Sequence, residues 1–212
     1  MRKSAIVASP ALFTPMKRPV VAVLLALATA SGVVGCAQDS GNSTDVVQQG
    51  YQSGDGSITT WDPADRPGPV VLEGVSMTGD QVTTEQWQGQ IVVLNTWYAA
   101  CPPCRAEADD LVAVASARAD DGVQFLGINR HDDTGTAAAF EREHGVTWPS
   151  LHDVDGAATA ALSGVVPVKA VPTTVIVDEQ GRVAARVLGE VSEATLNGLI
   201  DDVRAASGVD AP

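Results

Sequence analysis

The chain has 212 residues, of which 13 are Lys or Arg and 26 are Asp or Glu, so its formal net charge is −13. A surface this acidic repels the phosphates of nucleic acids and of anionic lipids, and it argues against both as electrostatic partners. Three cysteines are too few for a disulfide-rich scaffold, and the length fits one domain with additional segments.

Residues 1–35 have the composition of a secretory signal. Met16-Lys17-Arg18 is basic, and the apolar run from Val20 to Ala30 that follows is too short for an ordinary membrane span. The segment Val33-Val34-Gly35-Cys36 resembles the lipobox of bacterial lipoproteins, which implies cleavage before Cys36 and a diacylglyceryl thioether on its sulfur. A conventional signal peptide, or an uncleaved anchor, with an incidental cysteine is the alternative.

Cleavage before Cys36 changes both the charge and the number of free thiols. The removed segment holds four basic residues and no acidic one, so the mature chain has nine Lys or Arg against 26 Asp or Glu, a net charge of −17. With Cys36 lipidated, one pair of cysteines remains, which suits an oxidising extracytoplasmic compartment. We therefore expect a protein anchored by lipid at the extracytoplasmic face of the bacterial cell membrane.

Composition divides the mature chain into segments. Residues 36–50 are mostly Ser, Gly, Asn, Gln and Asp, which predicts a flexible tether whose ends lie roughly 20 Å apart. Residues 51–69 form an N-terminal extension, in which a Gly-Asp-Gly turn predicts a hairpin and a Pro-rich connector follows. Residues 70–207 have the size of one domain, and 208–212 form a C-terminal tail.

Strand and helix patterns alternate within residues 70–207. Apolar and β-branched runs predict strands at Val70–Val75, Ile91–Trp97, Val123–Asn129, Thr173–Val177 and Arg182–Val187. Helical periodicity and capping residues predict helices at Pro102–Arg118, Thr136–His144, Gly156–Leu162 and Ser192–Ala206. Residues 178–181 predict a hairpin turn between the last two strands. This order predicts a single α/β domain with a central mixed sheet, parallel then antiparallel, flanked by helices on both faces.

Cys101-Pro102-Pro103-Cys104 places two thiols where an apolar strand gives way to a helix. The two prolines fit only the first turn of a helix, so Cys101 falls at or near the N-cap, where unpaired N–H groups stabilise a thiolate. Cys101 is the predicted nucleophile and Cys104, one turn further on, the predicted resolving thiol of a redox disulfide. A zinc site is disfavoured because Cys36 and the scattered histidines do not supply a second ligand pair. Two inert core cysteines are a further alternative.

Three segments together resemble the TlpA/ResA-like (DsbE-like) branch of the thioredoxin superfamily, which consists of extracytoplasmic, membrane-tethered thiol-disulfide oxidoreductases. The segments are residues 93–97, 101–107 and 171–181. The resemblance implies a thioredoxin-like fold over about residues 70–206 and disulfide exchange with protein thiols and disulfides. It also implies a membrane-embedded electron donor or acceptor, a monomer, and neither cofactor nor metal. The chain departs from the family at Ala100, where Trp usually precedes the first cysteine.

The resemblance also assigns roles around the dithiol. It makes Pro172 the family's cis-proline, with Val171 offering backbone hydrogen bonds to a substrate, whereas sequence alone favours a trans proline. Trp97 is grouped with these substrate-binding residues and is expected to pack beside the active site. Glu107 is expected to be a partly buried carboxylate that exchanges a proton with the buried thiol, and Asn95 stands where thioredoxin has a buried Asp. An exposed Glu107 that only complements the helix dipole is the alternative.

These features predict a disulfide reductase, which the resemblance associates with cytochrome c maturation. An oxidase of secreted proteins and a non-catalytic thioredoxin-like binding module are the alternatives. A Cys-His hydrolase is disfavoured because His131, His144 and His152 share no predicted element with Cys101. A peroxidase is disfavoured because Tyr98 occupies the position at which peroxiredoxins need Thr.

Overall fold

The structure is a computed structural model that describes residues 57–167 and 169–208. These residues belong to one compact unit. The predicted signal peptide, Cys36, the tether and residues 209–212 lie outside the described residues. Within the described part of the chain, no helix is both long enough and apolar enough to cross a bilayer.

Eight strands and four α-helices follow one another along the described residues. The strands are β1 (Ile58–Thr60), β2 (Glu73–Val75), β3 (Gln81–Thr83), β4 (Ile91–Thr96), β5 (Val123–Asn129), β6 (Ser150–His152), β7 (Thr173–Val177) and β8 (Val183–Leu188). The α-helices are α1 (Pro102–Ala117), α2 (Thr134–His144), α3 (Ala157–Ala161) and α4 (Glu193–Ala206). Short 3-10 helices occupy Thr84–Trp87 and Ala119–Asp121.

Six of these strands form the central sheet, in the order β1-β8-β7-β4-β5-β6. β5 runs parallel to β4 and β6 runs parallel to β5. On the other side of β4, the pairs β4–β7, β7–β8 and β8–β1 are all antiparallel. The predicted α/β fold with a mixed sheet is therefore confirmed. β2 and β3 form a separate antiparallel hairpin, which meets edge strand β6 through a bridge between Ser76 and Leu151.

Alternating side chains along β4 divide the apolar core between the two faces of the sheet. Ile91 and Val93 belong to a cluster that includes apolar residues of α1 and α4. Val92 and Leu94 belong to a second cluster with residues of α3 and the β2–β3 hairpin. All six residues of β4 are buried, so the chain leaves this strand from a fixed position and enters α1 through the Cys101 segment.

The observed boundaries of most elements match the predictions to within two residues. The strand predicted at Val70–Val75 is shorter, because the Val70 N–H donates to the Gly181 carbonyl at 2.8 Å and does not join β2. Helix α2 begins two residues earlier than predicted, because Asp133 caps it and accepts the Thr136 N–H at 2.9 Å. Ser192 caps α4 as predicted.

The N-terminal extension joins the central sheet as an edge strand. Ile58 and Thr60 pair with Val187 and Ala185 of β8, so the second arm of the predicted hairpin has β8 as its partner. The first arm lies outside the described residues. Further along, Arg66 donates to Asp178 at 3.0 Å between two buried side chains, which fastens the Pro-rich connector to the turn between β7 and β8.

Candidate active site

Cys101 lies between the end of β4 and the first turn of α1. It is the N-cap of α1, and its Sγ accepts the N–H of Cys104 at 3.3 Å. Pro102 and Pro103 occupy the first two helical positions, as their lack of an N–H predicts. Cys101 and Cys104 form a disulfide with their Cα atoms 5.2 Å apart. The sequence therefore folds so that the first sulfur meets the positive end of the helix and the second lies one turn inside.

Both cysteines are buried in this oxidised form. Cys101 is 1% exposed and Cys104 is 2% exposed. They belong to a small apolar cluster that is separate from the two main clusters of the core; its other buried members are Met77, Trp97, Ala108, Ala137 and Phe140. An apolar surrounding disfavours a thiolate at both sulfurs, whereas the N-cap position favours a thiolate at Cys101 only.

Glu107 is a buried carboxylate on α1, three residues after Cys104. It is 1% exposed, which rules out the alternative of an exposed helix-end charge. Its Oε1 accepts the Nδ2 of Asn95 at 2.8 Å and its Oε2 accepts the N–H of Val191 at 3.0 Å. Desolvation raises the pKa of Glu107 from the ordinary 4.5 to about 7, although these two hydrogen bonds oppose the shift. The carboxyl group can therefore gain or lose a proton near neutral pH.

Pro172 comes to the same end of the sheet as the dithiol. The Val171–Pro172 peptide bond is cis, in agreement with the expectation from the resemblance. Thr173, the next residue, pairs with Thr96 at the end of β4, and Val171 packs against the cluster that contains the cysteines. A second cis bond, Gly68–Pro69, was not predicted and lies in the N-terminal connector.

The comparison with known proteins places these features in a family. Residues 70–186 match the AhpC/TSA family, and this stretch is more than half of the chain. The chain belongs to the AhpC/TSA family. Among curated relatives, the thiol:disulfide interchange protein HelX of Rhodobacter capsulatus is 28% identical over 145 residues, which are 68% of this chain and 78% of HelX.

Further relatives of this AhpC/TSA-family chain are also named for thiol-disulfide chemistry or have the same fold. Thiol-disulfide oxidoreductase ResA of Halalkalibacterium halodurans is 26% identical over 123 residues, or 58% of this chain and 66% of ResA. The solved structure of a DsbF homologue from Corynebacterium diphtheriae is 36% identical, with a TM-score of 0.65 over 71% of this chain and 96% of that one. The predicted thioredoxin-like fold is confirmed, as is the prediction that this protein is an enzyme of the thiol-disulfide oxidoreductase class.

Trp97 packs within the active site of this AhpC/TSA-family enzyme. It is 6% exposed, its ring stacks on Phe140 of α2 with centroids 4.6 Å apart, and its Nε1 donates to Ser150 Oγ at 3.3 Å. Gly127 of β5 leaves room for this indole, because a Cβ there would stand 2.7 Å from Nε1. Trp97 thus supports the shape of the site and offers little surface to a substrate.

The histidines and Arg105 lie in different surroundings. His144 Nδ1 is 3.0 Å from Asp109 Oδ1, and the His131 ring contacts Tyr98 with centroids 4.9 Å apart. Arg105 forms an exposed ion pair with Glu143 at 2.6 Å. Among the residues that the structure describes, no group of three His, Cys, Asp or Glu side chains is arranged to hold a metal ion.

Sequence reasoning missed two polar residues, of which one contacts the segment before Cys101 and the other holds the first in place. Asn129, the last residue of β5, is fully buried, and the half-buried Asp132 follows in the loop to α2. The Asp132 carboxylate accepts the backbone N–H of Ala99 at 2.7 Å. The available signal was an Asn at the end of a buried strand and an Asp three residues later. Since β4 and β5 are parallel neighbours, their carboxyl ends lie side by side, and these two residues come close to the segment before Cys101.

Proposed function

We propose that this enzyme is an extracytoplasmic disulfide reductase, anchored to the membrane by lipid on Cys36, that serves cytochrome c maturation. The buried Glu107 carboxylate, three residues after Cys104 on α1, supports the direction of electron flow. The resemblance of the chain to the TlpA/ResA-like branch supports the substrate class and a membrane-embedded electron donor. The lipobox-like segment that ends at Cys36 supports the anchor.

In the proposed mechanism, the Cys101 thiolate attacks one sulfur of a substrate disulfide, and the other substrate sulfur leaves as a thiolate that takes up a proton. Glu107 accepts the Cys104 proton, and the Cys104 thiolate then attacks Cys101 in the mixed disulfide. The second substrate thiolate leaves, and Cys101–Cys104 becomes the disulfide seen in the structure. Two electrons have then passed to the substrate, and the membrane-embedded donor restores the dithiol.

The direction depends on which form of the dithiol the protein stabilises. The helix N-terminus and the Cys104 N–H favour a thiolate on Cys101, which stabilises the reduced form and makes a protein more oxidising. Burial of both sulfurs and the nearby Glu107 carboxylate disfavour a thiolate, which makes the protein more reducing. Two influences, burial at 1% and 2% exposure and a second negative charge on ionised Glu107, oppose the one N-cap interaction, and on this ground we propose a reductase.

The test is the reduction potential, measured by equilibrating the protein with reduced and oxidised glutathione at pH 8, where Glu107 is ionised. Referred to pH 7, we expect a value near that of thioredoxin, about −270 mV, and a value less negative by about 30 mV in Glu107→Gln, a tenfold change in the equilibrium constant. Glu143→Gln, an exposed carboxylate on α2, is the matched control and should leave the potential unchanged. A wild-type potential near that of the strong oxidants, about −120 mV, assigns the protein as an oxidase instead.

A further inference from the structure

A tight turn leads directly into Cys101. The Cys101 N–H donates to the Tyr98 carbonyl at 3.1 Å, so Ala99 and Ala100 are the two central residues of the turn. Ala100 is exposed, whereas Ala99 is half-buried and packs against the cluster that contains the cysteines. Both side chains are single methyl groups, so hydrogen bonds to the backbone also determine the conformation of the turn.

The Asp132 carboxylate supplies one of these hydrogen bonds from outside the turn. Its Oδ2 accepts the Ala99 N–H at 2.7 Å and the Nδ2 of Asn129 at 2.8 Å. The Oδ1 of Asn129 in turn accepts the N–H groups of His131 and Asp132, each at 3.0 Å. Because Asn129 is fully buried at the end of β5, it holds the Asp132 loop against the sheet. The carboxylate is thus fixed in place before it meets Ala99.

We propose that Asp132 is a positioning residue for the thiol-disulfide exchange, because it fixes the Tyr98–Cys101 turn and thereby holds the Cys101 sulfur at the N-terminus of α1. The proposal rests on the proposed role of Cys101 as the attacking thiolate. A half-buried N–H that loses its acceptor turns toward water, and this movement pulls the turn away from the helix. In the structure, the Cys104 N–H donates to the Cys101 sulfur at 3.3 Å. The movement of the turn breaks this alignment, and the Cys101 thiolate becomes less stable.

The charge of Asp132 has the opposite effect on the thiolate, which makes the proposal testable. A carboxylate near Cys101 disfavours a negative sulfur, so loss of the charge alone would lower the pKa of the Cys101 thiol. Loss of the hydrogen-bond acceptor would raise it. Asp132→Ala removes both the charge and the acceptor, whereas Asp132→Asn removes the charge and keeps an oxygen that can accept from Ala99 and Asn129.

The experiment measures how fast iodoacetamide modifies Cys101 in the reduced full-length protein as a function of pH, read by mass spectrometry. We expect Asp132→Ala to raise the midpoint of the profile by at least about 0.5 pH unit, about a threefold loss of thiolate below the midpoint. Asp132→Asn should leave the midpoint at or below the wild-type value, because it loses the charge and keeps the acceptor. Asp133→Ala is the matched control: Asp133 caps α2 and bonds Thr136, so its loss should lower stability without moving the midpoint.

Each outcome bears on the proposal. A lower midpoint in both Asp132 variants would show that the carboxylate acts through its charge, and unchanged midpoints in both would show that the turn does not need it. Either result overturns the positioning role. If Asp132→Ala does not fold, Asp132→Ser takes its place, because it also removes the charge and its side chain is one bond shorter than the carboxylate that accepts from Ala99. A midpoint above that of Asp132→Asn supports the proposal, and an equal or lower midpoint contradicts it. A failure of the proposed function is distinct, because it appears in the wild-type reduction potential, or in a wild-type Cys101 that is not the more reactive of the two thiols, and not in a difference between the Asp132 variants.

Discussion

At the scale of single residues, the two cysteines are equally buried but meet different groups. Cys101 accepts a backbone N–H at the start of α1, which stabilises its thiolate. Cys104 borders a small, largely apolar cavity lined also by Trp97, Phe140 and Trp148, where a thiolate is disfavoured. This asymmetry supports Cys101 as the attacking sulfur and Cys104 as the resolving one, which needs a base before it can react.

The roles of the two cysteines can be separated by trapping. We expect Cys104→Ser to accumulate mixed disulfides with protein substrates on Cys101, because the resolving thiol is absent. Cys101→Ser should form few adducts, because Cys104 lies inside the first turn of α1 and borders a largely apolar cavity, where a thiolate is disfavoured. The measurement is non-reducing electrophoresis with mass spectrometry of the adducts, and the double variant is the control. Equal trapping by the two single variants would contradict the assignment.

The sequence predicts the residues that carry a local signature and misses those defined by contacts between distant segments. The CPPC motif identifies the dithiol, because two prolines and an N-cap leave few structural choices. The burial of Glu107 cannot be read from its spacing, because it depends on Val191 donating from 84 residues away. The Asp132–Ala99 bond spans 33 residues and is likewise set by the neighbouring positions of β4 and β5.

At the scale of elements, Glu107 joins three parts of the fold. It lies on α1, accepts from Asn95 on β4, and accepts from Val191 in the loop between β8 and α4. The same loop contacts the cis-proline segment, because the Gly189 N–H donates to the Pro172 carbonyl at 2.9 Å. The proton on Glu107 therefore affects how α1, β4 and the start of α4 are held together.

This arrangement predicts a pH dependence of stability. The pKa of Glu107 is about 7 in the folded protein and 4.5 ordinarily, so between these values the folded state keeps a proton that the unfolded state has lost. The free energy of unfolding should therefore fall as pH rises from 4.5 through 7, by about 3 kcal/mol from this group. Glu107→Gln should remove that part of the slope, measured by urea unfolding of the oxidised protein at pH 4.5, 6 and 8.

Glu143→Gln is again the matched control, because this carboxylate is exposed and should leave the slope as it is in the wild type. Equal slopes in wild type and Glu107→Gln would contradict the raised pKa.

Two short strands show why some elements escape prediction from sequence. β3 and β6 have three residues each, which is too few for an alternating pattern. They are strands only because the β2–β3 hairpin and the neighbouring β5 supply hydrogen-bond partners.

At the scale of the whole molecule, the acidic charge and the proposed lipid anchor would act in opposite directions. The mature chain that follows from cleavage before Cys36 has a net charge of −17, which repels an anionic membrane surface. Attachment would then depend on the acyl chains alone, and two acyl chains are enough for stable anchoring.

The anchor can be tested by fractionation. We expect the wild-type protein to sediment with membranes, to stay there in high salt and to be released by detergent, because its attachment is apolar and not electrostatic. Cys36→Ser should remain unprocessed at the bond before residue 36, as shown by its mass. Recovery of a soluble wild-type protein whose N-terminus lies elsewhere would contradict the anchor.

The pairing of β1 with β8 decides where a tether leaves the domain. Leu188 pairs with Thr173, and Thr173 pairs with Thr96, so the ends of these strands form one rim of the sheet, next to Cys101. The Leu188 N–H donates to the Ser57 carbonyl at 2.7 Å, which brings the start of the extension to this same rim. Strand spacing puts it about 15 Å from the end of β4. A chain that is anchored at Cys36 would therefore enter the described part of the domain at Ser57, on the same rim of the sheet as the redox disulfide.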